Sequence, residues 1–246
     1  MMTLSRAAGR CFGLVIFLLL TGCATGPDAH PQDPFEPWNR GVYKFNDVID
    51  TNVLKPVATT YTNVTPDPVR RGVSNFFNNI RDVWSAANAV LQLRPQEAAE
   101  NLFRVRVNTF VGLGGVMDVA TELGIPRTRM DFGQTMGRWG VPSGPYLVLP
   151  LLGPSSVRDA TGTGIQMRLN DYTEFDDSSV QTGVTVLEVV DTRAGLLRAG
   201  TLLNEAAIDK YSFMRDFYLQ RRQNQIDDLI DQGIGVRDPA PPVTNE

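Results

Sequence analysis

Apolar residues recur every three or four positions between residues 69 and 111, which is the period of an amphipathic α-helix. Pro95 divides this stretch and suits the first turn of a second helix. The pattern therefore predicts an antiparallel helical hairpin over residues 69–111. The apolar positions that define its first helix are Val69, Val73, Phe76, Phe77, Ile80, Val83, Trp84, Ala87, Val90 and Leu91.

Similar stripes over about 185–199 and 203–230 predict two further helices near the end of the chain. Residues 112–164, between the two halves, hold many of the glycines and prolines. Because proline cannot donate to a central β-ladder, at most one or two short extended segments fit there. The predicted class is mainly α, a multi-helix single domain with a helical hairpin and a Gly/Pro-rich irregular middle segment.

The first 22 residues have the pattern of a secretory signal peptide. Arg6 and Arg10 precede an apolar run of ten residues, which is too short to span a bilayer core of about 30 Å. Leu20-Thr21-Gly22-Cys23 follows and is typical of a bacterial lipobox. We therefore expect cleavage after residue 22 and an N-acyl diacylglycerol group on Cys23. A plain signal peptide followed by a chance cysteine is the alternative.

The rest of the chain divides into three parts by composition. Residues 23–37 are rich in proline and polar side chains, which predicts a flexible tether behind the acylated cysteine. Residues 38–232 contain no internal linker or repeat and are predicted to form one domain. Residues 233–246 contain three prolines and no apolar period, which predicts a disordered tail.

The inventory of reactive side chains is thin. The chain has one histidine, His30, and two cysteines, Cys11 and Cys23, of which the first lies in the signal peptide. A net charge of -4 and only three lysines leave no basic block for a nucleic-acid backbone. We therefore expect no nucleic-acid partner, no catalytic residue, no metal site and no cofactor apart from the lipid on Cys23.

Several ordered motifs resemble those of the MlaA (VacJ) lipoproteins, from about Phe35 to Arg222. Leu93-Arg94 departs from the family pattern, since we expect a glycine-containing turn there; so do Val83 and Lys210, each where proline is usual. The motifs that carry the resemblance are Asn39-Arg40-x-x-Tyr43-x-Phe45-Asn46, Asn108-Thr109-x-x-Gly112-x-Gly114-Gly115-x-x-Asp118, Asp131-Phe132-Gly133-Gln134-Thr135, Gly144-Pro145-Tyr146-Leu147-Val148-Leu149-Pro150 and Tyr211-x-Phe213-x-Arg215-Asp216-x-Tyr218.

The resemblance implies a ring-shaped lipoprotein in the inner leaflet of the outer membrane, anchored on the periplasmic side. Such a protein works beside trimeric porins, removes phospholipids that have strayed into the outer leaflet, and passes them to a periplasmic lipid carrier of the MlaC type. It thereby maintains the lipid asymmetry of the outer membrane. A lipid-anchored scaffold that organises porins or envelope partners without a lipid channel is the alternative, and a lipid-cleaving enzyme is a third possibility.

An amphipathic ring needs an apolar outer belt and a polar inner wall. For the membrane belt we predict Phe76, Phe77, Trp84 and Phe103 on the hairpin, with Trp139 and Tyr146 as interface anchors. For the channel wall the candidates are Lys55, Arg193 and Arg215, because each lies in an otherwise apolar or helical motif. The glycine motif Gly112, Gly114 and Gly115 is either a hinge or a site of close packing.

Overall fold

The computed structural model describes residues 30–169 and 178–234. The predicted signal peptide, Cys23 and most of the predicted tail lie outside the described residues. The predicted tether extends too far, because Asp33 is buried and the first helix, α1, begins at Glu36. Pro37 in the first turn of α1 favours that start. A π-helical segment, Asp50–Leu54, then joins α1 (Glu36–Ile49) to α2 (Lys55–Val64).

The predicted helical hairpin is present as α3 (Asp67–Leu91) and α4 (Pro95–Phe110), which pack against each other along their length. Leu93 in the connection has φ 57°, a left-handed conformation that favours glycine. The amide of Arg94 donates to the carbonyl of Ala89 at 2.9 Å, which closes the end of α3. The turn therefore has the geometry of a glycine cap, although leucine occupies the position.

The glycine-rich middle contains two short helices, one two-stranded antiparallel sheet and a longer helix. Asp131 caps the second short helix by accepting from the amide of Gln134, whose side chain accepts from the amide of Asp131. The elements are α5 (Val119–Glu122), α6 (Phe132–Arg138), β1 (Tyr146–Leu149), β2 (Gly153–Ser156) and α7 (Val157–Leu169).

The last part of the described chain has three helices where the sequence predicted two. They are α8 (Ser178–Gly195), α9 (Leu197–Ala206) and α10 (Lys210–Ile234). Ala207 is extended, with ψ 122°, and Asp209 accepts from the amide of Tyr211, so a new helix begins there. The predicted tail began too early, since α10 continues to Ile234.

The elements contact one another in a closed circuit. In spatial order the circuit is α3, α8, α2, the π-helical segment, α1, β1, β2, α10, α6 and again α3. The predicted mainly α single domain, with a hairpin and an irregular middle, is confirmed. In the described ranges 30–169 and 178–234, the helices all fall short of the length and apolar character that a membrane crossing requires.

Candidate functional site

The hairpin turns its polar stripe toward the protein and its apolar stripe toward the surroundings. Its buried side chains include Asn79, Asp82, Ser85 and Asn88 on α3 and Glu97, Asn101, Arg104 and Asn108 on α4. Large apolar side chains on the opposite faces are exposed, among them Val90, Leu102, Phe103 and Phe110. The usual distribution of a water-soluble helix pair is therefore inverted.

A network of two arginines and two aspartates fills the inner side of the hairpin. Arg104 is 0% exposed and donates to Asp82 at 3.3 Å and to Asp118 at 2.7 Å. Arg127 bridges the same carboxylates at 3.0 and 3.2 Å. Burial acts to raise the pKa of Asp118, but hydrogen bonds from Thr121 and Asn108 and the two arginines lower it. Each buried charge thus has partners, as burial requires.

A second polar chain links the hairpin to α6. The hydroxyl of Thr135 donates to the side-chain oxygen of Asn88 at 2.7 Å and accepts from Gln92 at 2.9 Å. Within the part of the chain that the structure describes, the side-chain oxygens of Asn79, Gln92 and Asn101 are buried without a hydrogen-bond partner. The interior beside the hairpin is thus hydrophilic and keeps some acceptor capacity.

Two cavities adjoin this polar interior. The first encloses about 350 Å³ and the second about 440 Å³, within the range of roughly 300–1,000 Å³ typical of ligand sites. They share Arg129, Met130, Gln134 and Gln225, so they meet along a common wall. Helices α3, α6, α7 and α10 contribute to the first cavity, and Trp84 is part of its lining. This pair of cavities is the candidate passage.

The first cavity is cationic. Four arginines line it, and Asp131 is the single carboxylate in its described lining. Two of the four, Arg81 and Arg222, form ion pairs, the former with Glu188 at 2.8 Å and the latter with Asp131 at 2.6 Å. The other two, Arg129 and Arg221, have no carboxylate partner among the residues the structure describes; Arg129 donates to the side-chain oxygen of Asn78 at 3.0 Å.

Partial burial and neighbouring positive charges both disfavour the charged form of Arg129. Burial lowers the pKa of its guanidinium, and the neighbouring charges of Arg81, Arg127 and Arg221 lower the pKa further, against a smaller opposing effect of Asp82. An arginine remains protonated in a folded protein, so the consequence is stored repulsion and not loss of charge. An anion in the first cavity would relieve that repulsion.

The second cavity has a different charge. Its lining includes three carboxylates, Glu97, Glu100 and Asp228, and two arginines, Arg94 and Arg129. Arg94 and Glu97 form an ion pair with each other. The candidate passage therefore changes from an arginine-rich half to a half with an excess of carboxylates, and Arg129 stands at the border.

Comparison with known proteins identifies the chain. The family model described as MlaA lipoprotein matches residues 31–225. This protein belongs to the MlaA lipoprotein family. The resemblance found in the sequence motifs is thereby confirmed.

Three relatives of known sequence or structure support the assignment. The protein is 36% identical over 212 residues to the intermembrane phospholipid transport system lipoprotein MlaA of Escherichia coli K12, covering 82% of each chain. It is 34% identical over 227 residues to MlaA of Haemophilus influenzae, covering 87% of this chain and 89% of that one. A structure described as "Structural basis for maintenance of bacterial outer membrane lipid asymmetry" matches with a TM-score of 0.66 and 33% identity, covering 79% of this chain and 98% of that one.

The three cations predicted for the channel wall lie away from both cavities. Lys55 is exposed on α2, and Arg193 pairs with Asp50 at 2.5 Å. Arg215 is buried and pairs with Asp33 at 3.4 Å. The structure therefore does not place these three residues in the candidate passage, and their role in a channel wall stays a prediction. The ion pairs of Arg193 and Arg215 connect α8 and α10 to residues near the two ends of α1. The sequence around an arginine does not distinguish this use from channel lining.

The predicted belt residues of this MlaA family member divide by exposure. Phe76, Phe103 and Trp139 are exposed, as a belt requires. Phe77 is 3% exposed and Tyr146 is fully buried, so these two do not reach the surface and the prediction fails for them. Trp84 is partly buried and lines the first cavity. Helical periodicity placed Phe76 and Phe77 on one face, but adjacent positions differ by about 100° around a helix.

The glycine motif of the MlaA pattern is closely packed at two of its three positions. A Cβ atom on Gly112 would lie 2.2 Å from the carbonyl oxygen of Met117, and one on Gly115 would lie 2.7 Å from the side-chain nitrogen of Asn79. Gly114 has open space and φ 71°, a conformation that favours glycine. Packing therefore accounts for Gly112 and Gly115, while a hinge at this motif stays a prediction.

The arginines of the cavity were absent from the predicted site residues. Two sequence signals were available: Gln134 follows Asp131 at the spacing of a capping box, and Arg221-Arg222 stands at the end of the region of resemblance. The polar stripe of α4 also has helical spacing, with Glu97, Asn101, Arg104 and Asn108 separated by four, three and four positions. This polar stripe indicates the inner face of the hairpin, and one of its members, Glu97, also lines the second cavity.

Proposed function

We propose that this protein is an outer-membrane lipoprotein that removes mislocalised phospholipids from the outer leaflet through an amphipathic channel. It passes them to a soluble periplasmic carrier of the MlaC type and so maintains the lipid asymmetry of the outer membrane. The observation that carries the proposal is the inverted hairpin beside two adjoining polar cavities. Its relatives bear the name of an intermembrane phospholipid transport system.

The physical requirements of phospholipid transfer match this arrangement. Exposing two acyl chains of on the order of 30 methylenes to water costs more than about 20 kcal/mol. Moving a charged head group through hydrocarbon is also prohibitive. A protein with an apolar outer face and a hydrated inner wall avoids both costs, because the head group passes inside while the chains stay near the lipid phase.

The membrane and its partners complete the proposal. The acylated Cys23 anchors the protein to the periplasmic side of the outer membrane, and the exposed apolar faces of the hairpin lie among lipid chains. A trimeric porin holds the protein beside the outer leaflet. The variant Cys23→Ala is expected to be released from the membrane and to lose function.

Filling the passage tests the proposal in cells that lack the native gene. Gln225 lines both cavities, whereas its neighbour Asn224 is exposed and lines neither. We expect Gln225→Trp to raise outer-leaflet phosphatidylethanolamine, measured with a membrane-impermeant amine reagent, to the level of the deletion strain. Asn224→Trp, the matched control, is expected to restore the wild-type level.

The same experiment separates transport from the alternatives. A scaffold without a channel predicts that Gln225→Trp restores asymmetry as well as the wild type, provided that both variants accumulate to equal amounts in the outer membrane. That result would contradict the proposal. Release of fatty acid or lysolipid from vesicles by the purified wild-type protein would contradict it as well, since it would indicate an enzyme.

A further inference from the structure

The first cavity contains more positive charge than its own carboxylates neutralise. Arg129 and Arg221 line it without a carboxylate partner in the described residues, while Arg81 and Arg222 are held by ion pairs on either side. Unpaired arginines close enough to repel one another are unfavourable in a protein unless an anion or water compensates them. Both side chains line the same cavity and are exposed there, so their N–H donors are open to a ligand, and their shared charge points to an anionic one.

The geometry of guanidinium groups favours phosphate. An arginine presents several N–H donors in a plane and binds phosphate oxygens through paired hydrogen bonds. We propose that Arg129 and Arg221 bind the phosphate of the phospholipid head group at a defined position in the passage. This inference rests on the proposed function and names the chemical group that the passage recognises.

The neighbouring cavity supports this location of the phosphate. Its carboxylates, among them Glu100 and Asp228, give it an excess of negative charge in its described lining. A phosphate is therefore attracted to the first cavity and repelled from the second, with Arg129 at the border between them. The head group therefore binds in the arginine-rich half, which Trp84 also lines.

The fluorescence of Trp84 can report ligand binding in the first cavity. The chain has three tryptophans, and the other two, Trp38 and Trp139, are exposed. A protein carrying Trp38→Phe and Trp139→Phe therefore has Trp84 as its one fluorescent reporter. Titration of this purified, detergent-solubilised protein with short-chain phosphatidylethanolamine brominated on its acyl chains is expected to quench the Trp84 emission with a saturable curve.

Arginine variants in the same background test the inference. We expect Arg129→Gln and Arg221→Gln each to weaken the apparent affinity for the brominated phospholipid about tenfold, because each removes charge-assisted hydrogen bonds to phosphate. Arg71→Gln, on an exposed position of α3 outside both cavities, is the matched control and should leave the affinity unchanged. Brominated diacylglycerol, which lacks the phosphate, should bind at least tenfold more weakly than the phospholipid and should not distinguish the variants.

Three outcomes would overturn the inference while leaving the proposed function in place. They are equal affinity of wild type and both arginine variants for the phospholipid, equal binding of diacylglycerol and phospholipid, and competition by inorganic phosphate at concentrations similar to those of the lipid. The last result would indicate a site for soluble anions. Absence of saturable quenching in the protein with intact arginines would contradict the proposed passage itself.

Discussion

The hairpin and the tyrosine cluster on the other side of the circuit distribute polarity in opposite ways. In the cluster, Tyr146 and Tyr211 are buried with Val148, and their rings lie 6.3 Å apart in an edge-to-face arrangement. Charged groups lie on part of its outside, where Arg40 lies 4.3 Å above the ring of Tyr211 and pairs with Asp209. The hairpin instead has charges inside and phenylalanines outside.

This difference indicates which solvent each region faces. An aromatic core under a charged surface is stable against water, since water solvates the charges and the rings are removed from it. Exposing an apolar face to water is unfavourable, whereas contact with the hydrocarbon of a membrane is not. The hairpin face therefore suits the lipid phase. The tyrosine side carries both kinds of surface, since Trp38, Phe213 and Phe217 are exposed beside its charged groups.

The largest expected effect comes from breaking the inner network of the hairpin. Arg104→Leu leaves the carboxylates of Asp82 and Asp118 with Arg127 as their remaining arginine partner. We expect the free energy of unfolding in detergent to fall by about 3–5 kcal/mol, measured by chemical denaturation. Arg106→Leu, on the exposed side of the same helix, should change it by less than about 0.5 kcal/mol. Equal effects of the two variants would mean that the inner network contributes no special stability.

A pair of matched hydroxyl deletions probes the tyrosine cluster. The hydroxyl of Tyr211 donates to Asp33 at 2.5 Å, whereas the buried hydroxyl of Tyr146 has no partner in the described structure. Tyr211→Phe should therefore lower the free energy of unfolding by about 2 kcal/mol. Tyr146→Phe should leave it unchanged or raise it slightly. A larger loss for Tyr146→Phe would contradict this account of the cluster.

The junction between the two regions is expected to be sensitive to acid. Burial acts to raise the pKa of Asp159, but hydrogen bonds and charge from Arg222, with Tyr218 and Arg158, lower it overall. The ionised carboxylate thus stabilises the fold above its unfolded pKa of about 3.9, and that contribution is lost as pH falls through the lower folded value.

The variant Asp159→Asn tests this pH dependence. We expect it to be less stable than the wild type by about 1–2 kcal/mol at pH 7. The difference should shrink as the pH falls below about 4, because the wild type then loses the same interaction. Denaturation midpoints measured between neutral and acidic pH give the comparison, and a difference that does not depend on pH would contradict it.

The smallest expected effects concern one strained turn in each region. Leu93 follows α3, and Leu151 joins the two strands beside the tyrosine cluster; both have left-handed φ angles, 57° and 63°. Leu93→Gly and Leu151→Gly should each raise the free energy of unfolding by about 1 kcal/mol. Leu102→Gly, in the interior of α4, should lower it by about as much. Thermal unfolding distinguishes the stabilised variants from the destabilised one. A lower unfolding temperature for Leu93→Gly or Leu151→Gly would contradict the inference that leucine is strained at these turns.

Sequence periodicity predicted the hairpin and the helical class, because both depend on local spacing of apolar residues. It did not predict the break between α9 and α10, where Ala207-Ile208-Asp209 contains no proline or glycine. The cationic cavity brings together residues from four helices, and only the packing of those helices shows which arginines are paired by carboxylates. The same limit explains why the ion pairs of Arg193 with Asp50 and of Arg215 with Asp33 could not be predicted from the sequence.

The direct test of the central claim compares, in a bilayer, the outer face of the hairpin with the wall of the candidate passage. Single cysteines carrying a fluorophore are placed at Phe110, on the exposed apolar face, and at Gln225, in the wall shared by both cavities. The account predicts that a lipid-borne nitroxide quenches the probe at Phe110 and that aqueous iodide quenches the probe at Gln225. Quenching of the Phe110 probe by iodide, with neither quencher reaching the probe at Gln225, would contradict it.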